Sequence, residues 1–459
     1  RDRAAVTEPA AAPGPARSPL AAGWGTALRH GLLAFGAVVA LAEAAALAVY
    51  ALGGTGLSLT DAVRAGGLYV AAVHRIPLRL SAEGRGLARL VEVLGGSAET
   101  AELHLELAIA PLAATALAIW LLWRGGRAVA EAAGGGPLER ALHGAKVAPV
   151  YAGAVLLACL AVRARAPILL ESSRAPGTAD LVAAPLPAFV LPFVLAATVG
   201  AVGGWWSSAP QGGVRDARAV LAGGGTMLVA GLGLSYTGLF LAGVVRPDGA
   251  EALLTPSTGR YLQAVFERPA TGAVVLAHHL ALAPNEAAWV LVPAMGGCTG
   301  SFPAGSEPQP FLCYGRFPED VAIPAWILPP SSTAGPVATT RFGTAPAPYF
   351  LFLLVPAVAT VLGGRRALRA DAAVSAGRAV GLGAAAGVVY AVLVLLVGWA
   401  ASLSLSGSLT LDGATDPSGA VRLGPDVLTG GLLAVAWGVA GGVIGASVTR
   451  RRVTGARAR

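Results

Sequence analysis

Residues 379–403 read AVGLGAAAGVVYAVLVLLVGWAASL, with no charged side chain in the run. As a helix this stretch rises about 37 Å, more than the hydrocarbon core of about 30 Å that a spanning segment must cross. Working outward, runs of the same kind occur at Gly31–Leu52, Leu105–Trp123, Val147–Val162, Leu181–Gly204, Val220–Val245, Tyr349–Leu362 and Thr429–Val448. The whole chain agrees with them: 459 residues, 55% hydrophobic, 13% charged, mean hydropathy +0.66. A soluble protein of this length needs far more charge to cover its surface. The composition therefore excludes an ordinary soluble enzyme, a nucleic-acid reader and a disordered chain. The expected fold is an all-α integral membrane helical bundle, with about eight transmembrane helices plus one re-entrant or externally packed helical hairpin, and the lipid bilayer is its first partner.

The basic residues set the orientation. The net charge is +8 and nearly all of it is arginine, in short clusters between apolar runs. Arg124/Arg127/Arg140/Lys146, Arg215/Arg218, Arg365/Arg366/Arg369/Arg378 and the tail Arg450/Arg451/Arg452/Arg457/Arg459 flank the runs on alternate sides. Positive residues are retained on the cytoplasmic side, so each cluster is expected there, together with both termini. Eight crossings then put Lys and Arg at about a threefold higher density inside than outside. This divides the chain into a disordered cytoplasmic segment over 1–30, a first bundle half over 31–245, an extracytoplasmic segment over 246–348, a second half over 349–448 and a basic tail over 449–459.

A ninth apolar run, Gly272–Met295, is interrupted by His278, His279, Pro284, Asn285 and Glu286. Three placements are open: a re-entrant hairpin, a true span and an interfacial helix. A true span would put Arg365/Arg366/Arg369 outside, so charge parity favours a hairpin that breaks at Pro284-Asn285-Glu286. In that hairpin Pro284 and Asn285 make the turn, Glu286 caps the returning helix and Trp289 anchors at the interface. Leu57–Leu80 suits an amphipathic surface helix ending near Pro77, or else a loop packed on the bundle. Pro185, Pro187 and Pro192 are expected to kink the span that carries them. Gly383/Gly387, Gly438/Gly442 and Gly441/Gly445 have the spacing that lets helices approach closely, and their co-occurrence in the last two spans points to a tight pair.

Few residues offer chemistry. Ionisable groups inside lipid are costly, so Glu43, His278, His279, Asn285 and Glu286 form the candidate intramembrane polar site. For Glu43 the alternatives are a neutral carboxyl bonded to a neighbouring helix and a charge paired from another helix. Cys298 and Cys313 share a Pro/Gly-rich outside loop and are expected to form a disulfide, which would stabilise that loop by about 3 kcal/mol in the chain-entropy model. Cys159 reads as a small apolar packing residue. No metal-ligand spacing, nucleophile elbow, phosphate loop or dinucleotide fingerprint is present in the sequence, so no catalytic residue, metal or cofactor is expected.

The stretch Leu282–Trp289 followed by Pro293–Gly297 resembles an internal apolar Pro-Asn-x-x-x-Trp segment of uncharacterised polytopic membrane proteins of high-GC bacteria, including the streptophobe and PerM-like families. The resemblance implies a cell-membrane protein that supports division or stress tolerance through membrane or envelope partners, with no defined activity. A transporter or channel built around the polar residues is the alternative, and an intramembrane enzyme a remote one.

Overall fold

The computed structural model describes residues 21–51, 58–84, 101–168, 177–208, 212–245, 269–304, 307–314, 316–318, 342–344, 347–368, 375–412, 414–416 and 419–457. Most of them are helical. The order begins with α1 (Trp24–Ala51), α2 (Leu59–Val73), β1 (Leu78–Gly84), β2 (Ala101–Ala108), α3 (Leu112–Ala133), α4 (Pro137–Ala145), α5 (Val147–Ala161), β3 (Arg163–Ile168), β4 (Gly177–Ala183) and α6 (Pro185–Trp206). It continues with α7 (Gly212–Val245), α8 (Pro269–Ala294), β5 (Cys298–Pro303), β6 (Gln309–Cys313), β7 (Arg316–Pro318), β8 (Phe342–Thr344), a 3-10 turn (Ala347–Leu353) and α9 (Leu354–Leu368). Last come α10 (Ala376–Ala401), β9 (Leu403–Leu411), β10 (Ala414–Asp416), β11 (Val421–Pro425) and α11 (Val427–Arg457).

Among the described residues seven helical segments are long and apolar enough to cross a membrane: Trp24–Ala48, Pro137–Ala161, Pro185–Trp206, Gly213–Leu239, Phe350–Leu368, Ala376–Ala401 and Val427–Arg451. Helix α3 packs among them, against α1 and α6, but Arg124, Arg127 and Glu131 shorten its apolar part.

The all-α expectation is corrected by a sheet. Its described strands run β3-β4-β1-β2-β9-β11-β5-β6-β7-β8, with β10 on β9, and every pairing is antiparallel. Two of the apolar runs began inside it: Leu105–Ala108 belongs to β2, and Leu181–Ala183 to β4. At both places an apolar strand end feeds almost directly into a helix, and a hydropathy sum does not see where the period changes from 2 to 3.6. The chain ends are corrected too. Helix α1 already begins at Trp24, and α11 carries the basic tail as helix to Arg457.

Helix α8 is continuous through Pro284, so the expected hairpin break at Pro284-Asn285-Glu286 is absent. The chain turns instead at Met295–Gly297, where Gly296 has φ +108° and Gly297 N–H donates to Val292 O. Neither Asn285 nor Glu286 therefore turns or caps a helix end of its own. Pro185 starts α6, and Pro192 lies buried inside it. Part of Leu57–Leu80 forms the helix α2, closed at its start by a Ser58/Asp61 capping box and packed on the bundle, with Gly66, Leu68, Val70 and Val73 buried.

The element order repeats. The series α1, α2, β1, β2, α3, α4 with α5, β3, β4, α6 is followed by α7, α8, β5, β6, α9, α10, β9, β11, α11. The sheet repeats with it, since β3-β4-β1-β2 and β9-β11-β5-β6 have the same internal order and are joined at β2–β9. The agreement reaches single contacts. Leu78 faces Ala183, and Thr299 faces Pro425. Ala184 N–H donates to Pro77 O at 2.9 Å, and Asp426 N–H to Cys298 O at 2.9 Å. A Cβ on Gly126 would lie 2.2 Å from Gly200 O, and one on Gly364 2.2 Å from Gly442 O. Fully buried Tyr151 and Tyr390 occupy equivalent places on α5 and α10. Each half has its own core, one around Ala34, Leu122, Tyr151 and Ala196, the other around Met227, Leu291, Tyr390 and Ala434.

Candidate functional site

The two halves meet along one line, and its residues come from both. Eight pairs from Ala101–Leu411 to Ala108–Ser404 zip β2 to β9. Beneath this ladder two helix ends are capped across the junction. Helix α3 begins after Pro111, which has no side chain to cap it. Asn285 of α8 supplies the cap: its Oδ1 accepts from Leu112 N–H at 2.9 Å, and its Nδ2 donates to Ala110 O at 2.7 Å. In the other direction Arg75, in the turn between α2 and β1, reaches the end of α10. It donates to Ala400 O at 3.1 Å, Ser402 O at 2.5 Å and Ser404 Oγ at 2.6 Å, and lies 4.4 Å from the centre of the Trp399 ring. A guanidinium suits a helix C-terminus, where unpaired carbonyls concentrate negative potential.

Arg75 holds this place with φ +56°, a conformation unusual for a side chain with a Cβ, and its counterpart in the second half is Gly296 at φ +108°. Burial, and next the like charge of Arg422, push its pKa down to about 10. It still carries its charge at neutral pH. Its neighbour His74 is buried and neutral: Nδ1–H donates to Val70 O at 2.8 Å, Nε2 accepts from Tyr151 O–H at 2.8 Å, and burial holds its pKa down at about 4.

Above the caps, on the polar face of the sheet, a groove of about 290 Å³ opens between the halves. Pro77, Glu106 and Ala108 from the first half and Phe302, Ser404, Ser406 and Arg422 from the second are among its walls. Strand alternation makes this face polar, because Glu102, His104 and Glu106 point one way along β2 and Leu103, Leu105 and Leu107 the other. Arg79 and Glu106, paired across β1 and β2, bond at 2.6 Å. The Arg422 guanidinium sits 5.0 Å from the centre of the Phe302 ring.

Glu43 and Glu286, both of the expected intramembrane polar site, lie against different elements. Glu43 lies against Gly66, where α1 meets α2 in the first half. Glu286 lies within electrostatic range of Tyr236, where α7 meets α8 in the second. Asn285 is buried at the junction, and the side chains of His278 and His279 lie outside the described residues. Trp289 Nε1 donates to Ala401 O at 3.0 Å, so it ties α8 to α10. Cys298 and Cys313 face each other across β5 and β6 and are joined, and Cys159 is buried. The residues missed in the sequence, Arg75, Ser404 and Arg422, belong to strands or turns with distant partners: Arg75 bonds Ser404 across 329 positions, and Arg422 faces Phe302 of β5. Within the mostly apolar stretch Val70–Leu80 the local signal was the basic group His74, Arg75 and Arg79.

The chain matches no protein-family model, no curated protein and no solved structure.

Proposed function

We propose that the chain is a multi-pass protein of the bacterial cytoplasmic membrane with eight crossings and both termini cytoplasmic. It serves envelope maintenance or assembly without catalysing a reaction, working through its outer sheet and through membrane or envelope partners. The observation that carries this reading is the division of the connections. Those from α1 to α3, α5 to α6, α7 to α9 and α10 to α11 all give strands to one sheet. The remaining turns carry the arginine clusters at the opposite end, tied down by contacts such as Arg378–Asp216 at 2.7 Å and Lys146–Ala22 O at 2.7 Å. With α3 as the eighth span, every basic cluster is inside and every strand outside. Helix α8 enters the bundle from the sheet side and turns back at Met295, whose carbonyl accepts from Trp437 Nε1 at 3.0 Å. Its last turns are packed in protein, with Ala288, Val290, Leu291, Val292 and Met295 buried.

Accessibility labelling tests this. In intact cells a membrane-impermeant maleimide is expected to modify Glu83→Cys on the sheet and to leave Ser375→Cys unmodified until the membrane is opened. Labelling of Ser375→Cys from outside would overturn the topology. A deletion strain that grows like its parent under envelope stress would remove the maintenance reading.

Transport is the second reading, favoured by the duplication, because secondary transporters often join two like-oriented repeats around a path. Against it stands the separation of Glu43 and Glu286. Reconstituted vesicles that show no pH-dependent flux with either the parent chain or Glu286→Gln would exclude a proton-coupled path.

A further inference from the structure

The groove at the junction has an unbalanced charge. Of the arginines around it, Arg79 is neutralised by Glu106 at 2.6 Å. Arg75 and Arg422 have no carboxylate within ion-pair distance among the described residues. Arg75 spends its donors on Ala400 O, Ser402 O and Ser404 Oγ, while Arg422 rests on a ring face. Two like charges close together raise the free energy of the empty groove and favour an anion in it. Ser404 contributes as well. Its Oγ accepts from Arg75, so its own O–H is left to donate, and Ser404 and Ser406 both line the groove.

The duplication supplies an independent observation. The counterpart of Arg422 in the first half is Asp180, which faces Ser81 on β1 as Arg422 faces Phe302 on β5. There Arg163 neutralises the acid, at 2.7 Å and 3.2 Å. The same place in the fold thus accepts either sign of charge, so packing does not require an arginine at 422.

We propose that the groove is a binding site for a phosphate ester, held by the Arg422 guanidinium and the Ser404 and Ser406 hydroxyls over the buried charge of Arg75. Guanidinium and hydroxyl donors lining one groove match the several oxygens of a phosphate, which takes charge-assisted bonds best from arginine. A groove of about 290 Å³ accommodates the ester's organic part beside Phe302 and Pro77. The source is either a lipid headgroup or a soluble phosphate. The groove lies at the base of the sheet, next to the helix ends at Ala110 and Ala400. The lipid source rests on the membrane reading, and the soluble source does not.

The test uses the full chain in phosphatidylcholine nanodiscs, with radiolabelled inorganic phosphate in equilibrium dialysis and, separately, discs that also contain phosphatidylglycerol, analysed for retained lipid. Saturable phosphate binding at one site per chain, weakened about tenfold or more in Arg422→Ser and unchanged in Ser81→Ala, supports a soluble ester. Phosphatidylglycerol enrichment that Arg422→Ser abolishes supports a lipid headgroup. Absence of both, or binding that Arg422→Ser leaves unchanged, overturns the proposal. Arg422→Asp, which carries the charge of Asp180, replaces the serine variant should that one fail to melt like the parent.

Discussion

Asn285 shows how much one side chain decides in this molecule. It is buried, and both ends of its amide bond to the backbone of the other half. Truncation to alanine leaves the Leu112 N–H and Ala110 O without those partners, and an unsatisfied buried backbone group costs about 1–3 kcal/mol. Asn285→Ala is therefore expected to lower the melting temperature in detergent, whereas Asn285→Asp, which keeps the acceptor for Leu112 N–H, should lose less. Equal losses in the two variants would mean that the cap is not what Asn285 supplies. The residue was legible as unusual, a polar group in an apolar run, but its role was not, because Ala110 and Leu112 are far from it in sequence. Glu43 and Glu286 were equally visible, and what sequence could not say was that they sit in different halves.

Helix pairs follow a rule that could be read in part. Two of the small-residue spacings are used as expected, since a Cβ on Gly383 would lie 2.4 Å from Gly442 O and one on Gly387 2.3 Å from Gly438 C, whereas Gly441 and Gly445 face Thr360 and Val361 of α9. In lipid, where the hydrophobic effect does not drive helices together, such approach replaces it with van der Waals contact. Gly442→Leu places a branched side chain against Gly383 O of α10 and the Met227 side chain of α7. Overpacking of this kind costs about 1–3 kcal/mol or more, and a variant melting like the parent would show that α10 and α11 are not held by this contact. The equivalent trio in the first half, Gly126, Gly144 and Gly200, is as tight, but its spacing spreads over α3, α4 and α6 and does not stand out among 62 glycines. The strands were hidden for another reason. Leu403–Leu411 alternates Leu and Ser almost without fault, yet its first residue closes an apolar run that also spells a helix.

At the scale of the molecule, two similar halves are joined head to tail, by one edge of the first sheet unit and the opposite edge of the second. Such a join is asymmetric, so residues at the junction need not be repeated. Arg75 has Gly296 as its counterpart, Asn285 has Arg64, and Arg422 has Asp180. The groove lies at this join, where these three residues differ in charge from their counterparts, while the cores of the two halves have kept their contacts.

Sequence by itself determined that this is a bundle of apolar helices with arginine clusters in the connections between them, because hydropathy and charge are sums over neighbouring residues and survive any arrangement in space. It also paired Cys298 with Cys313, which lie close along the chain. Only the tertiary structure decided the sheet, the repeat and the groove. Each depends on backbone hydrogen bonds between segments up to three hundred residues apart, such as β2 with β9, and no local property of either strand encodes which partner it takes.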